Sequence, residues 1–344
     1  MAIYYIILTA IFIASISPKH IARSLYWPIF GFLFLFAALR SSTVDQDYLG
    51  YLDYYYDAIS GIFWNVEPSF LLIASFIDAL SLNARWLFII YDLLGLLILG
   101  IAISRIETDR LTVTMFFFSG HFLLWSMTQI RVGLAGAIFL LSLVYLAKNQ
   151  RVAYIVAVTS ALFFHYLSVV LYILVPINGN AKYAGRMLLL IPIGVFIYST
   201  GFSIATISDF VPIELIALKL QTYEEQKTFD NNVFNFLLIA RLFLALSLLS
   251  MQRQLMHVST HFGILLKVYI VAIFLHIAFG WSPLASRASE LLLIVEPILI
   301  AIFSRLMPNR FLSRLVVFVI SILYLSFNLF YVKLLNPYDI SLFV

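Results

Sequence analysis

The chain has 344 residues, of which 63% are hydrophobic, 17% aromatic and 11% charged, and its mean hydropathy is +1.02. Soluble domains carry about 25% charged residues, so this composition excludes a soluble protein; the surplus apolar surface must face lipid. The lack of cysteine excludes disulfides, thiol nucleophiles and iron–sulfur clusters, and a formal net charge of +4 from scattered basic residues argues against a nucleic-acid partner.

Residues 1–16 are apolar, and the first cations, Lys19 and Arg23, come after them. A cleavable signal puts its cations first, so this order predicts a first span with its N-terminus outside. Apolar runs follow at 24–39, 86–103, 111–127, 130–147, 152–177, 187–207, 233–250, 262–280, 289–304 and 312–331. A weaker run at 67–82 carries Glu67, Pro68 and Asp78. At roughly 20 residues per span, the expected architecture is all-α: a polytopic integral membrane protein of about 11–12 transmembrane helices. It is read as one transmembrane domain over 1–344, with external polar segments at 40–66 and 208–232.

Charge orients these runs. Segment 40–66 holds Asp45, Asp47, Asp53 and Asp57 against Arg40, and segment 208–232 holds Asp209, Glu214, Glu224, Glu225 and Asp230 against Lys219 and Lys227. The short connections are basic: Lys19, Arg23, Arg105, Arg110, Lys148, Arg151, Lys182, Arg186, Arg253, Arg305, Arg310 and Arg314 are 12 of the 21 Lys and Arg residues. Lys and Arg prefer the cytoplasmic side. Alternation puts all of them there under two conditions. Residues 67–82 must form a re-entrant or surface helix that does not cross, and 152–177 must be a bent pair turning near His165. In the alternative, 67–82 crosses, 152–177 is one span, and 10 cations lie inside; the first arrangement is preferred.

In the preferred arrangement Arg131, His165, Arg241 and Arg287 gather toward the outer face. Ionisable groups in membrane helices cost about 2.5–3.5 kcal/mol on insertion scales, which makes each a functional candidate. Guanidinium groups match phosphate oxygens with paired hydrogen bonds, and Arg131 and Arg287 fall near helix starts, where backbone N–H groups also favour an anion. A lipid-linked phosphate or pyrophosphate fits. The acidic, Tyr-rich stretch 48–57 suits sugars, because carboxylates accept hydrogen bonds from hydroxyls and tyrosine rings stack on sugar faces. Blander readings stand beside these. Arg241 pairs with a residue such as Glu296, Tyr54 to Tyr56 form an interfacial aromatic belt, and Gly133 with Ala137 is a helix-packing pair. Glu214 to Lys227 reads as a surface helix over the site, with Lys219 and Tyr223 facing the ligand, or as a plain loop. His257 and His261 have metal-ligand spacing but no evident third ligand.

Three stretches resemble the EpsG-like, Wzy-type family of bacterial polysaccharide polymerases. The first is Arg40-x6-Asp47-x3-Tyr51 followed by Glu67, with Asp45 and Gln46 where the family has Gly-Thr. The second is QIRVGLAGAIFLLSLVYLAKNQRVAYIVAVTSALFFHYLSVVLYILVP, residues 129–176, which has an Arg opening a small-residue helix, a basic turn and a Phe-His. The third is SRASELLLIVEPILI, residues 286–300, where Arg287 is similar to the family's late arginine. The resemblance implies a multi-pass enzyme of the bacterial inner membrane with its active site facing the periplasm. Such an enzyme extends O-antigen or capsule chains by glycosyl transfer. The growing glycan on undecaprenyl pyrophosphate is passed to a repeat unit on the same carrier.

On that reading Arg131 and Arg287 stabilise the leaving pyrophosphate without a metal or other cofactor, and His165 is the base for the acceptor hydroxyl. Arg40, Asp47, Tyr51, Glu67, Lys219, Tyr223 and Arg241 bind substrate, with Asp47 and Glu67 as second choices for the base. The partners are the bilayer, the lipid-linked oligosaccharides, and a chain-length regulator and flippase of the same pathway. An O-antigen ligase would use the same donor. A flippase or transporter of lipid-linked sugars would also line a cavity with cations but would show paired repeats, and none is evident here.

Overall fold

The computed structural model describes residues 1–62, 66–107, 109–201 and 233–340. Of the described residues 78% are helical. Among the described residues only two isolated bridges, Arg40 with Ile340 and Asp45 with Leu335, are sheet-like. They tie the segment after the second long apolar run to the chain's C-terminal end.

The N-terminal helices are α1 (Ala2–Ile16), α2 (Lys19–Ser24), α3 (Tyr26–Ala38), α4 (Tyr48–Ile59) and α5 (Pro68–Ala79). Then come α6 (Trp86–Ile106), α7 (Arg110–Phe117), a π-helix over Phe118–Ser126, α8 (Ile130–Ala147), α9 (Arg151–Phe164) and a 3-10 helix over Tyr166–Leu174. A second 3-10 stretch, Ala181–Leu189, leads into α10 (Leu190–Ser199). The C-terminal part holds α11 (Phe236–Ser250), α12 (Gln252–Val258), α13 (Phe262–Ala278), α14 (Pro283–Leu292), α15 (Glu296–Ser304) and α16 (Arg310–Ser326), the last running into a π-helix over Phe327–Tyr331. Three of the described helical segments, Trp86–Ile106, Ile130–Ala147 and Arg310–Tyr331, are long and apolar enough to cross a membrane alone. A fourth candidate is α11 with α12, bent by 81° between them. The chain is thus an all-α, multi-pass membrane protein.

The helices sort by what they face. α13 is apolar nearly all round, and residues from Phe262 to Ala278 are buried along its length; a helix of that kind belongs in the middle of a bundle. α1, α11 and α16 expose Ile6, Phe243 and Leu323 on their outer sides, as lipid-facing helices do. α6 and α8 lie side by side in the same direction, with Tyr91 near Arg131, Gly95 against the Leu134 backbone, and Glu107 and Lys148 both near His261. α8 is followed by a tight turn, in which Asn149 takes a positive φ of 57°, a conformation Asn tolerates better than most residues. α9 then packs back along α8.

The run 152–177 turns at His165. That residue is extended (φ −155°, ψ 120°) between α9 and the 3-10 helix. The two arms pack together, with the Tyr154 hydroxyl on the Leu171 carbonyl at 2.7 Å and Thr159 with Tyr172 at 2.6 Å. Gly179 then comes up against Ala147, at the far end of α8. α5 has 12 residues, about 18 Å of helix, and packs on α4.

One end of the bundle collects the basic connections. Arg305 pairs with Glu107 at 2.6 Å, Arg314 with Asp109 at 2.7 Å, and Arg310 donates to the Ser15 carbonyl at 3.3 Å. Arg110 lies over the Tyr26 ring at 5.4 Å. Because α6 and α8 are parallel, Lys148 and Arg151 share this end with Arg105. Arg40, Glu67, Arg131 and His165 lie at the opposite end.

One expected run proves divided. Residues 289–304 are not a single helix. α14 starts at Pro283, a 3-10 turn spans Leu293–Val295, and α15 restarts at Glu296 with Pro297 in its first turn. Proline lacks the N–H that an uninterrupted helix needs there. Arg287 therefore lies within a helix rather than before one.

Candidate functional site

Three segments distant in sequence meet at the end of the bundle away from the basic connections. Glu67 precedes Pro68, and the Glu67 carbonyl accepts from the N–H groups of Phe70 and Leu71 to start α5. Arg131 lies in the first turn of α8, and His165 is the break after α9. Glu67 joins them. Its Oε2 accepts from Arg131 Nη1 at 2.5 Å, and its Oε1 lies 2.9 Å from His165 Nδ1. The Tyr166 N–H reaches the same Oε1 at 3.4 Å. The Glu67 side chain is 2% exposed, whereas those of Arg131 and His165 are each 15% exposed. The carboxylate is sealed, and its two partners look outward.

Aromatic rings fix the guanidinium from the other side. Arg131 lies 5.3 Å from the Tyr51 ring, 5.3 Å from Tyr54 and 5.6 Å from Phe70. Each such contact contributes about 0.5–2 kcal/mol, more where water is excluded. Tyr51 is buried and Tyr54 is 40% exposed, so α4 gives the site one covered ring and one open ring. Burial pushes the Tyr51 phenol above its ordinary range against an opposing pull from Arg131. Asp53 and Asp57 on α4 and Asp47 just before it face outward, and the Asp47 N–H donates to Asp45 Oδ1 at 3.0 Å.

Arg40 is placed elsewhere. Its side chain is fully covered. Nε binds Asp45 at 2.8 Å, and Nη1 binds Asp92 at 3.1 Å and the Ala37 carbonyl at 2.7 Å. The Phe88 ring lies 5.0 Å from it. This ion triad ties the end of α3 to α6 beneath α4. Arg241 is also buried, with Nε 3.6 Å from Glu296, and the Tyr269 hydroxyl donates to that carboxylate at 2.8 Å. Arg287, half-buried on α14, shares the electrostatic neighbourhood of Glu290 with Arg241. α14 packs on the 3-10 helix that follows His165 and on α8, so Arg287 stands on an element adjoining the Glu67 group. Lys219 and Tyr223 lie outside the described residues.

The small face of α8 brings these elements close. A side chain at Gly133 would meet the Trp125 backbone, and one at Gly136 would meet the Trp125 ring and Leu291 of α14. The Gly133 and Ala137 spacing signals that packing in advance. The participation of Phe70, Tyr91, Tyr166 and Asp92 has no comparable signal. Ser69 and Tyr91 pair at 3.3 Å beneath the Glu67 turn, a contact made only by the fold. Among the described residues no group of three or more His, Asp or Glu side chains has metal-binding geometry.

A many-helix membrane bundle with a carboxylate, a cation and an imidazole gathered at one end defines a multi-pass membrane protein with an enzyme-like polar centre. The EpsG family pattern matches residues 23–340, nearly the whole chain, and the chain belongs to that family, a family of Wzy-like polymerases. No curated protein and no solved structure shows significant similarity to it.

Proposed function

We propose that the protein polymerises lipid-linked oligosaccharide repeat units for O-antigen, capsule or a related surface polysaccharide. It moves a growing glycan from undecaprenyl pyrophosphate onto the non-reducing sugar of a second carrier-linked unit. The observation that carries this is the Glu67, Arg131 and His165 group, assembled from three segments at one end of a bundle whose family polymerises sugars. The opposite end holds the basic connections. The positive-inside rule therefore supports an inner-membrane orientation with the site facing the periplasm. Under it the shorter apolar helices cross as well, giving about 11–12 spans, and α5 dips into the outer leaflet beside an outer-face cavity and returns.

The reaction needs charge stabilised on the departing pyrophosphate and a proton removed from the acceptor hydroxyl. Arg131 and Arg287 serve the first need, since preorganised cations work in a dry site without a metal, and Arg241 supports them through the charges it shares with α14. His165 serves the second as general base. Tyr51, Tyr54, Asp47 and the outward carboxylates of α4 hold sugars, and Lys219 and Tyr223 complete the substrate surface. Arg40 acts from below by fixing α3, α4 and α6. A chain-length regulator and a flippase act with the enzyme in the same pathway.

The test is deletion of the gene in its host, with surface glycans separated by size on a gel. Loss of the ladder with single capped units remaining marks a polymerase. If no units reach the surface, a ligase or flippase is the better reading. Re-expressed Arg131→Ala and Arg287→Ala should each leave the ladder absent while the protein still inserts; full ladders from both would contradict the assignment.

A further inference from the structure

The Glu67 carboxylate has both oxygens engaged. Oε2 holds the Arg131 guanidinium, and Oε1 faces His165 Nδ1 and the Tyr166 N–H. Protonating it would break a covered ion pair where water cannot take over, and breaking one side of such a pair costs about 3–5 kcal/mol. Glu67 is therefore badly placed to take a substrate proton. It is well placed to direct the ring beside it. An ionised carboxylate only accepts hydrogen bonds, and arginine, always cationic, pairs with that ionised form. The 2.9 Å contact then requires the hydrogen on Nδ1. In neutral imidazole the second nitrogen, Nε2, carries the lone pair. Among the described residues Nε2 has no hydrogen-bond partner, and the ring keeps its 15% exposure.

The backbone holds the residue in place. His165 is extended between two helices, its N–H donating to Ala161 at 2.9 Å and its carbonyl accepting from Ser168 at 3.0 Å. The break is pinned on both sides, so the fold fixes where the ring starts from, and Glu67 sets which nitrogen bears the proton.

We propose that Glu67 is a positioning residue: it holds His165 as the Nδ1–H tautomer and presents Nε2 as the only basic ring nitrogen to the acceptor hydroxyl. For its substrate, this rests on the polymerase reading above; for its geometry it does not. In the step it serves, the acceptor oxygen bonds to the donor's anomeric carbon. The bond from that carbon to the pyrophosphate oxygen breaks, and its electron pair leaves with the pyrophosphate. The hydroxyl proton passes to Nε2. Glu67 stays ionised beside the imidazolium, which returns its proton to water when products leave.

The experiment has two readouts on the full-length protein in lipid. The first is nitrogen-15 NMR of histidine-labelled protein, with His165→Asn used to assign the His165 signals. The expected result is a proton on Nδ1 in the wild type and a shift toward the Nε2–H form in Glu67→Gln, whose amide can donate to Nδ1. The second is the rate of polymer formation from a synthetic repeat unit on a polyprenyl pyrophosphate. Glu67→Gln should lower kcat by roughly 10²–10⁴-fold, the share that a positioned general base contributes, with KM changed less than about threefold, and Glu67→Asp should recover part of the loss. An Nε2–H tautomer in the wild type, or a wild-type rate in Glu67→Gln, overturns the proposal. If the Nδ1–H tautomer is found but the wild type forms no polymer, the positioning role stands and the polymerase reading fails.

Discussion

At the scale of single residues, the arginines divide by what surrounds them. Arg40 and Arg131 both carry carboxylate partners, but Arg40 is fully covered between two of them, and Arg131 is partly open with one. The same residue type thus does two jobs. Replacing Asp92 by Ala leaves Arg40 buried with a weakened triad and should cost about 3–5 kcal/mol of stability, read as a fall in thermal midpoint of the detergent-solubilised protein. An unchanged midpoint would show that the triad is not structural. Arg131→Lys keeps the charge but loses the planar fork that meets Glu67 and three rings together. It should insert normally yet lower polymer yield at least about tenfold, as read on the glycan gel.

Charge patterning in the sequence shows which residues need partners but not which partners they find. Arg241 with Glu296 is anticipated, because Arg241 is the lone ionisable group in its apolar run, Glu296 lies inside another, and burial forces pairing. Glu67 as the joint between Arg131 and His165 is not anticipated, because its partners lie 64 and 98 residues away in the chain. Nothing local in the sequence encodes that distance.

At the scale of elements, the apolar runs foretell most helices. The turn at His165 is legible because the run 152–177 is too long for one span and too short for two ordinary ones. The helix types are not legible. The 3-10 form of Tyr166–Leu174 and the π-helices at Phe118–Ser126 and Phe327–Tyr331 follow from packing against neighbours, which overrides local preference. The division of 289–304 is marked in the sequence by Pro297, which the hydropathy pattern outweighs. The glycine face of α8 provides the element-scale prediction. Gly133→Leu must push Trp125 away from α8. Overpacking of this kind costs about 1–3 kcal/mol, so the variant should melt earlier and lose polymerisation, whereas Gly50→Ala, at a position with open space around it, should keep both.

At the scale of the whole molecule, the bundle has two unlike ends: basic connections at one, the Glu67 group at the other. The chain contains no cysteine, so single cysteines can be placed without removing native ones. Asp53→Cys and Tyr56→Cys should react with a membrane-impermeant maleimide in intact cells with a permeable outer layer. Asn149→Cys and Met307→Cys should react only after the membrane is opened. The reverse pattern would place the site in the cytoplasm and contradict the proposed orientation.

On the proposed function, the three-segment group carries out glycan polymerisation. The most direct measurement places the purified protein in vesicles with repeat units on a polyprenyl pyrophosphate and no other protein, then resolves the products by size. The wild type should give a ladder and His165→Asn single units alone. A ladder of equal length and rate from His165→Asn would contradict it.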